Sequence, residues 1–284
     1  IAGYTLIKDE LVRILDGLPP TTLFNIAVFD VRNTFTLFPG MVPANNANVG
    51  KVGTWLDPLN QVKSGMKADQ FGPKTLGSGG HRVSEDFKTG KIKKNKSWYT
   101  PCAEAMKQQA DAVFLLTSIY GWQRDGGKRI PMSESVQRKW DESYQKALKL
   151  LDEDNRERLA KGEGPRVIDR KSEWEMNKAY FPDIEFPRHT EEYWYTPRNF
   201  KEAFATIRKK YAPAATQATS GIVKKNRKNG FALNVVQFMP DKDAGEFQHR
   251  YDRSIPKYQA LVNRLDGDHR TIKGMEGIKS SVGH

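Results

Sequence analysis

Apolar residues recur along this chain in two rhythms. At Tyr4, Ile7, Leu11, Ile14 and Leu18 the spacing is three and four, which is one face of a helix, and Gly17 with Pro19-Pro20 stops it. Leu23 to Asp30 reads as a strand, and Thr34 to Phe38 as a second one. The short Val31-Arg32-Asn33 connection between them predicts an antiparallel hairpin. Val49 to Leu56 reads as a helix, and between Gln61 and Tyr99 periodicity is lost. There Gly77-Ser78-Gly79-Gly80 predicts a flexible turn and Lys91 to Lys96 a basic loop. Thr100 as N-cap and Pro101 at the first helical position open a helix to about Gln109. Asp111 to Ser118 follows, apolar on both alternating faces, which predicts the buried centre of a parallel sheet.

Ser133 to Lys161 is a long amphipathic pattern with Val136, Trp140, Tyr144, Ala147, Leu148, Leu151 and Leu159 on one side. From Gly162 to Tyr195 the rhythm disappears, yet the segment carries Trp174, Tyr180, Phe181, Phe186, Tyr193, Trp194 and Tyr195. So long an irregular stretch either packs on its own domain or forms a partner-binding arm. Thr196-Pro197 starts another helix through Phe200, Phe204, Ile207 and Tyr211, and Phe231 to Met239 forms a second buried strand. Phe247 to Leu265 is a helix that Pro256 should kink or split; His269 to Ile272 is a last strand and Met275 to Val282 a closing helical turn.

Strands alternating with helices predict an α/β class. The expected fold is a Rossmann-like three-layer sandwich, a mostly parallel sheet with one antiparallel edge strand and helices on both faces. The organisation expected is a single domain over 1–284, with a basic insertion at 77–99 and a helical plus irregular aromatic insertion at 123–196.

Composition changes this picture in one respect, the net charge of +12 in 284 residues. From His81 to Thr100 six Lys/Arg stand against two acids, and from Lys201 to Gly230 eight stand against one. These segments form either a patch for nucleic acid or another polyanion, or solvated loops. No apolar run reaches the roughly 20 residues that span a bilayer. The single Cys102 forbids an internal disulfide and reads as a buried structural thiol. It leaves the redox compartment open, with the cell envelope or exterior preferred over the cytoplasm.

Nucleotide-binding, zincin and nucleophile-elbow motifs are absent, and the five histidines His81, His189, His249, His269 and His284 never stand at ligand spacing. The expectation is no enzyme, no catalytic residue, no cofactor and no metal.

Three passages in order resemble the von Willebrand factor type A domain, especially bacterial forms. They are the first helix, its Leu18-Pro19-Pro20 end and the strand Phe24 to Asp30; Val42-Pro43-Ala44 with Asn45 to Ala47 leading to Trp55-Leu56-Asp57; and Thr100-Pro101 with its helix, followed by Ala110 to Thr117. The likeness covers Ile1 to Thr117 well and the rest loosely. The family typically holds a divalent cation through an Asp-x-Ser-x-Ser loop after its first strand, a Thr of a second loop and an Asp of a third. The first loop would lie before Ile1, Thr100 takes the second place, and Thr117 is followed by Ser118 where the Asp is needed. The resemblance is therefore to a degenerate, metal-free member. It further implies that a central strand preceding the first helix comes from upstream sequence or from another polypeptide.

The function this supports is a protein-binding or assembly module of scaffold or adhesion type. Its expected contact residues are Ser118, Tyr120, Trp122, Trp174, Tyr193 and Trp194, with Trp122 and Trp194 as anchors. The alternative is polyanion binding through basic loops 88–96 and 224–228, namely Lys91, Lys93, Lys94, Lys96, Lys224, Lys225, Arg227 and Lys228.

Overall fold

A computed structural model describes residues 2–61, 72–94, 96–126, 133–184, 192–213, 230–239 and 248–274, with side chains from residue 7 onward. The basic stretch 224–228 and the closing turn at 275–282 lie outside the described residues. In chain order the elements begin with α1 (Ala2–Asp16), β1 (Leu23–Phe24), β2 (Ala27–Phe29), β3 (Thr34–Thr36), β4 (Val42–Pro43), α2 (Asn46–Leu56), β5 (His81–Arg82), α3 (Tyr99–Lys107) and β6 (Ala112–Thr117). They continue with β7 (Arg124–Gly126), α4 (Glu134–Ala160), α5 (Glu173–Tyr180), β8 (Glu192–Trp194), α6 (Pro197–Lys210), β9 (Ala232–Met239), α7 (Gln248–Arg264) and β10 (His269–Lys273). The chain is mixed α/β and divides into two compact units, 1–125 with 194–284, and 126–193.

In the first unit the hairpin forms as its short connection predicts, β2 antiparallel to β3, which also pairs with β5. The Asp30 carboxylate makes the turn by accepting from the backbone N–H of Arg32 and Asn33 at 2.7 and 2.6 Å. The single strand expected over Leu23 to Asp30 is broken into β1 and β2, and β1 pairs with β4 instead. The cause is the Asn25 side chain. Its Oδ1 accepts from the N–H of Ile26 and Phe38, and its Nδ2 donates to Phe38 O, Gly40 O and Gln108 Oε1. One side chain thus takes over hydrogen bonds that a continuous ladder would make.

Asp111 to Ser118 is a strand as expected, but not the centre of its sheet. Among the described residues the parallel sheet runs β10-β9-β6, so β9 is central there and β6 stands at one end. Register sets the two faces: Val113, Leu115 and Thr117 stand beside Leu233, Val235 and Gln237. On that face α3, α6 and α7 close a core with Leu115, Phe200, Phe204, Tyr258 and Leu261, all at most 3% exposed. On the other face Phe114 is 68% exposed and Leu116 36%. An apolar run on both faces therefore marks an interior strand only where both faces are covered.

Helix starts divide along similar lines. Thr196 caps α6 with a reciprocal pair, its hydroxyl accepting from Asn199 N and the Asn199 side chain accepting from Thr196 N. The same Thr-Pro signal misplaces α3, where Trp98 is the N-cap and Thr100 lies inside the helix. The buried Trp98 indole donates to Tyr120 O at 2.8 Å and sets that start. Helix α7 continues through Pro256 and is not split there.

The Gly77 to Gly80 turn is a packing device. Gly77 N donates to Trp55 O at 2.8 Å, and a Cβ on Gly80 would sit 2.9 Å from the buried Trp55 indole nitrogen. The second core cluster, with α1, α2 and the Trp55 side chain, lies on this side.

In the second unit α4 packs on α5 through Ala147, Leu151 and Met176. Trp140 of the expected stripe is buried, whereas Leu159 is 61% exposed. Helix α5 lies inside the stretch that lacks steady periodicity; Ser172 caps it by accepting from Glu175 N.

Candidate binding surface

Beyond the end of β6 the chain is pinned at nearly every residue. Gln237, fully buried in β9, donates to Ser118 O at 3.0 Å, and the Tyr258 hydroxyl donates to Ile119 O at 3.0 Å. Tyr120 N donates to Ser254 Oγ at 2.9 Å, and Tyr120 O accepts from Trp98. Gly121 turns the chain at φ +72°, and Gln123, 1% exposed, donates to Lys96 O and accepts through its carbonyl from Tyr195 N. Residue 122 is thus carried by a rigid support.

On that support Trp122 and Trp194 stack, ring centroids 6.2 Å apart and planes 25° from parallel. They remain 59% and 37% exposed. Two cations grip the pair. The Arg124 guanidinium lies 4.0 Å from the Trp122 ring centroid and 5.5 Å from that of Trp194; Lys257 Nζ lies 4.0 Å from Trp194 and 5.5 Å from Tyr120. Each such contact contributes about 0.5–2 kcal/mol. Burial lowers the pKa of Arg124, and burial with the nearby Arg253 charge lowers that of Lys257.

The basic loop joins this surface. Ile92 is fully buried, Lys93 N donates to the Tyr195 hydroxyl at 3.1 Å, and Lys94 pairs with Asp125 at 2.9 Å. Lys91, Lys93 and Lys94 are exposed around that anchor and Lys96 is half-buried. The Asp125 carboxylate compensates the Lys94 charge.

The expected contact residues thus separate. Trp122 and Trp194 meet, and Ser118 is exposed nearby in sequence. Tyr120 is not an exposed contact: its ring is 4% exposed, wedged between Trp98 and Tyr258, and it forms the floor. Trp174 on α5 and Tyr193 on β8 belong to the second unit, 52% and 43% exposed. Arg124, Gln123, Gln237, Ser254 and Lys257 were not anticipated. A glutamine inside the apolar run of β9 is the one sequence signal that points to a buried polar support.

Cys102 is buried, and burial pushes its thiol up to about 12. Among the described residues no group of three or more His, Cys, Asp or Glu could hold a metal ion, and no helix is long and apolar enough to cross a membrane. No family model, curated protein or solved structure matches the chain.

Proposed function

We propose that this chain is a non-enzymatic protein-binding or assembly module that seizes its partner on the Trp122–Trp194 pair. The observation that carries this reading is two stacked tryptophans left open to solvent on a hydrogen-bonded support, flanked by Arg124 and Lys257. Aromatic and arginine side chains dominate the energetics of protein interfaces. Exposed aromatic faces beside two positive charges fit a partner that presents an apolar segment with acidic groups near it. In this proposal the parallel sheet and the hairpin are halves of one Rossmann-like sandwich, a metal-free relative of the von Willebrand factor A architecture.

The test compares the chain with a variant carrying Trp122→Ala and Trp194→Ala, first for self-association by sedimentation, then for binding of each protein captured by the parent chain and purified. One hot-spot tryptophan is worth about 2 kcal/mol, about thirty-fold in affinity. The double variant should bind at least thirty-fold more weakly; equal affinity or equal self-association refutes the reading.

A second reading, binding of nucleic acid or another polyanion, is favoured by the exposed Lys91 and Lys93 on the loop that packs at Tyr195 and Asp125. Lys224, Lys225, Arg227 and Lys228 lie outside the described residues. Anisotropy with a labelled single-stranded oligonucleotide separates the two: binding that falls steeply with salt supports this reading, and absence of binding at low salt removes it.

A further inference from the structure

Charge is divided unequally between the two units. Of the chain's 46 Lys/Arg and 34 Asp/Glu, residues 126–193 hold fourteen and fifteen; the remaining thirty-two and nineteen leave the other unit a surplus of thirteen positive charges. The tryptophan pair belongs to that basic unit, with Arg124 and Lys257 over its rings and Arg253 close enough to act on Lys257. Two such surfaces brought face to face set like charges against each other, which opposes a two-fold contact through the pair itself. On a second copy, the near-neutral 126–193 unit is the surface that this repulsion spares.

That unit also presents an aromatic side chain between acids. Helix α5 begins Glu173-Trp174-Glu175. Met176 and Asn177 turn the helix's other side into its contact with α4, Asn177 Nδ2 donating to Trp140 O at 3.2 Å, and this leaves Trp174 exposed. Glu173 is fixed beside it, its Oε2 accepting from Trp140 Nε1 at 3.0 Å, and Glu175 is exposed.

Among the described residues, the exposed large aromatics outside the pair are Phe114, Trp174 and Tyr193, and only Trp174 has an acid on both sides in sequence. An indole flanked by carboxylates matches, in polarity and in sign, two indoles flanked by Arg124 and Lys257.

We propose that the Trp122–Trp194 surface of one copy receives the α5 face of a second copy, Trp174 against the two indoles and Glu173 and Glu175 toward Arg124 and Lys257. This rests on the tryptophan-pair reading and names its partner as the same chain. The two patches differ, so the contact is heterologous. Each copy gives its α5 face to one neighbour and its tryptophan pair to another, and assembly continues until a ring closes or a filament grows. Salt weakens the contact, because its charges lie at the surface.

The experiment uses the 284-residue chain and two variants of it. Trp122→Ala with Trp194→Ala removes the pair and leaves α5; Trp174→Ala with Glu175→Lys removes the α5 face and leaves the pair. Sedimentation velocity should show the parent chain growing past the dimer as concentration rises to about 0.5 mM, within reach of a contact with a Kd of about 1 mM. Each variant alone should associate at least tenfold more weakly than the parent. Their equimolar mixture should form a complex that stops at two copies, since only one junction can be made. Circular dichroism checks that both variants fold, and Trp174→Ala alone replaces the second one where Glu175→Lys unfolds α5. A parent chain that stays monomeric overturns the proposal. So does an α5 variant that self-associates like the parent, or a mixture of folded variants that forms no complex. The tryptophan-pair reading is judged separately, on the captured protein: it survives this proposal's failure where removing the pair still abolishes that binding, and falls with it where binding is unchanged.

Discussion

Replacing Phe114 and Leu115 by Ala, one at a time, converts the position of β6 into two numbers. Leu115 is 3% exposed in the core under α3, α6 and α7. A Leu→Ala change at such a site costs about 2–5 kcal/mol, and with aromatic neighbours that cannot collapse into the void we expect about 3. Phe114 has the larger side chain, yet 68% of it is exposed, so about a third of the roughly 2.5 kcal/mol that full burial provides is at stake, about 0.8 kcal/mol. A few tenths more come from replacing an aromatic by alanine in a strand, which brings the total to about 1. Equilibrium urea unfolding followed by far-ultraviolet circular dichroism measures both, with a shared m-value as the check that the unfolded states are alike. If Phe114→Ala costs as much as Leu115→Ala, Phe114 is covered, β6 is an interior strand, and the edge geometry is wrong.

Further outcomes follow from single side chains. Gly80→Ala, at φ +85° against the Trp55 ring, should lower stability by about 1–3 kcal/mol from backbone strain alone; an unchanged urea midpoint would refute that packing. Cys102, its thiol pushed up to about 12 by burial, should resist a disulfide reagent at about pH 8 until urea unfolds the chain, and prompt labelling of the native protein would contradict the burial. Burial holds the His269 imidazole below its ordinary value, with Nε2 3.1 Å from Gln237 Oε1. The unfolded chain therefore binds that proton more tightly, so this stability is complete above about pH 6.5 and is lost as pH falls through the lower folded value. His269→Asn should flatten that part of the Tm profile, and an unaltered slope would show that His269 does not control it.

What could be read from residues alone was local. Thr196-Pro197 announces α6 because cap, proline and Asn199 lie within four residues and bond one another. At Thr100-Pro101 the same letters mislead, since the start of α3 is set by the Trp98 indole reaching Tyr120 across the fold. Asn25 looks like one polar residue in an apolar run, and only its five partners, on Ile26, Phe38, Gly40 and Gln108, explain why the strand breaks there. Trp122 and Trp194 stood out as large aromatics in irregular stretches. That they stack on each other, and that Lys257 of α7 lies over one of them, depends on pairings between distant segments that no periodicity encodes.

The burial of Ile92 has a consequence for how the basic loop meets the world. A run with four lysines in six residues is where trypsin ordinarily enters, because it can be drawn out and threaded through the protease. Here Ile92 is locked in the core, bridged to Thr89, while Lys93 N is held by the Tyr195 hydroxyl. Cleavage must wait for the core to open, so digestion of this loop reports global unfolding instead of local fraying. The same anchoring presents Lys91 and Lys93 at a fixed spacing, so a ligand that recognises them meets charges already ordered and loses little entropy in arranging them.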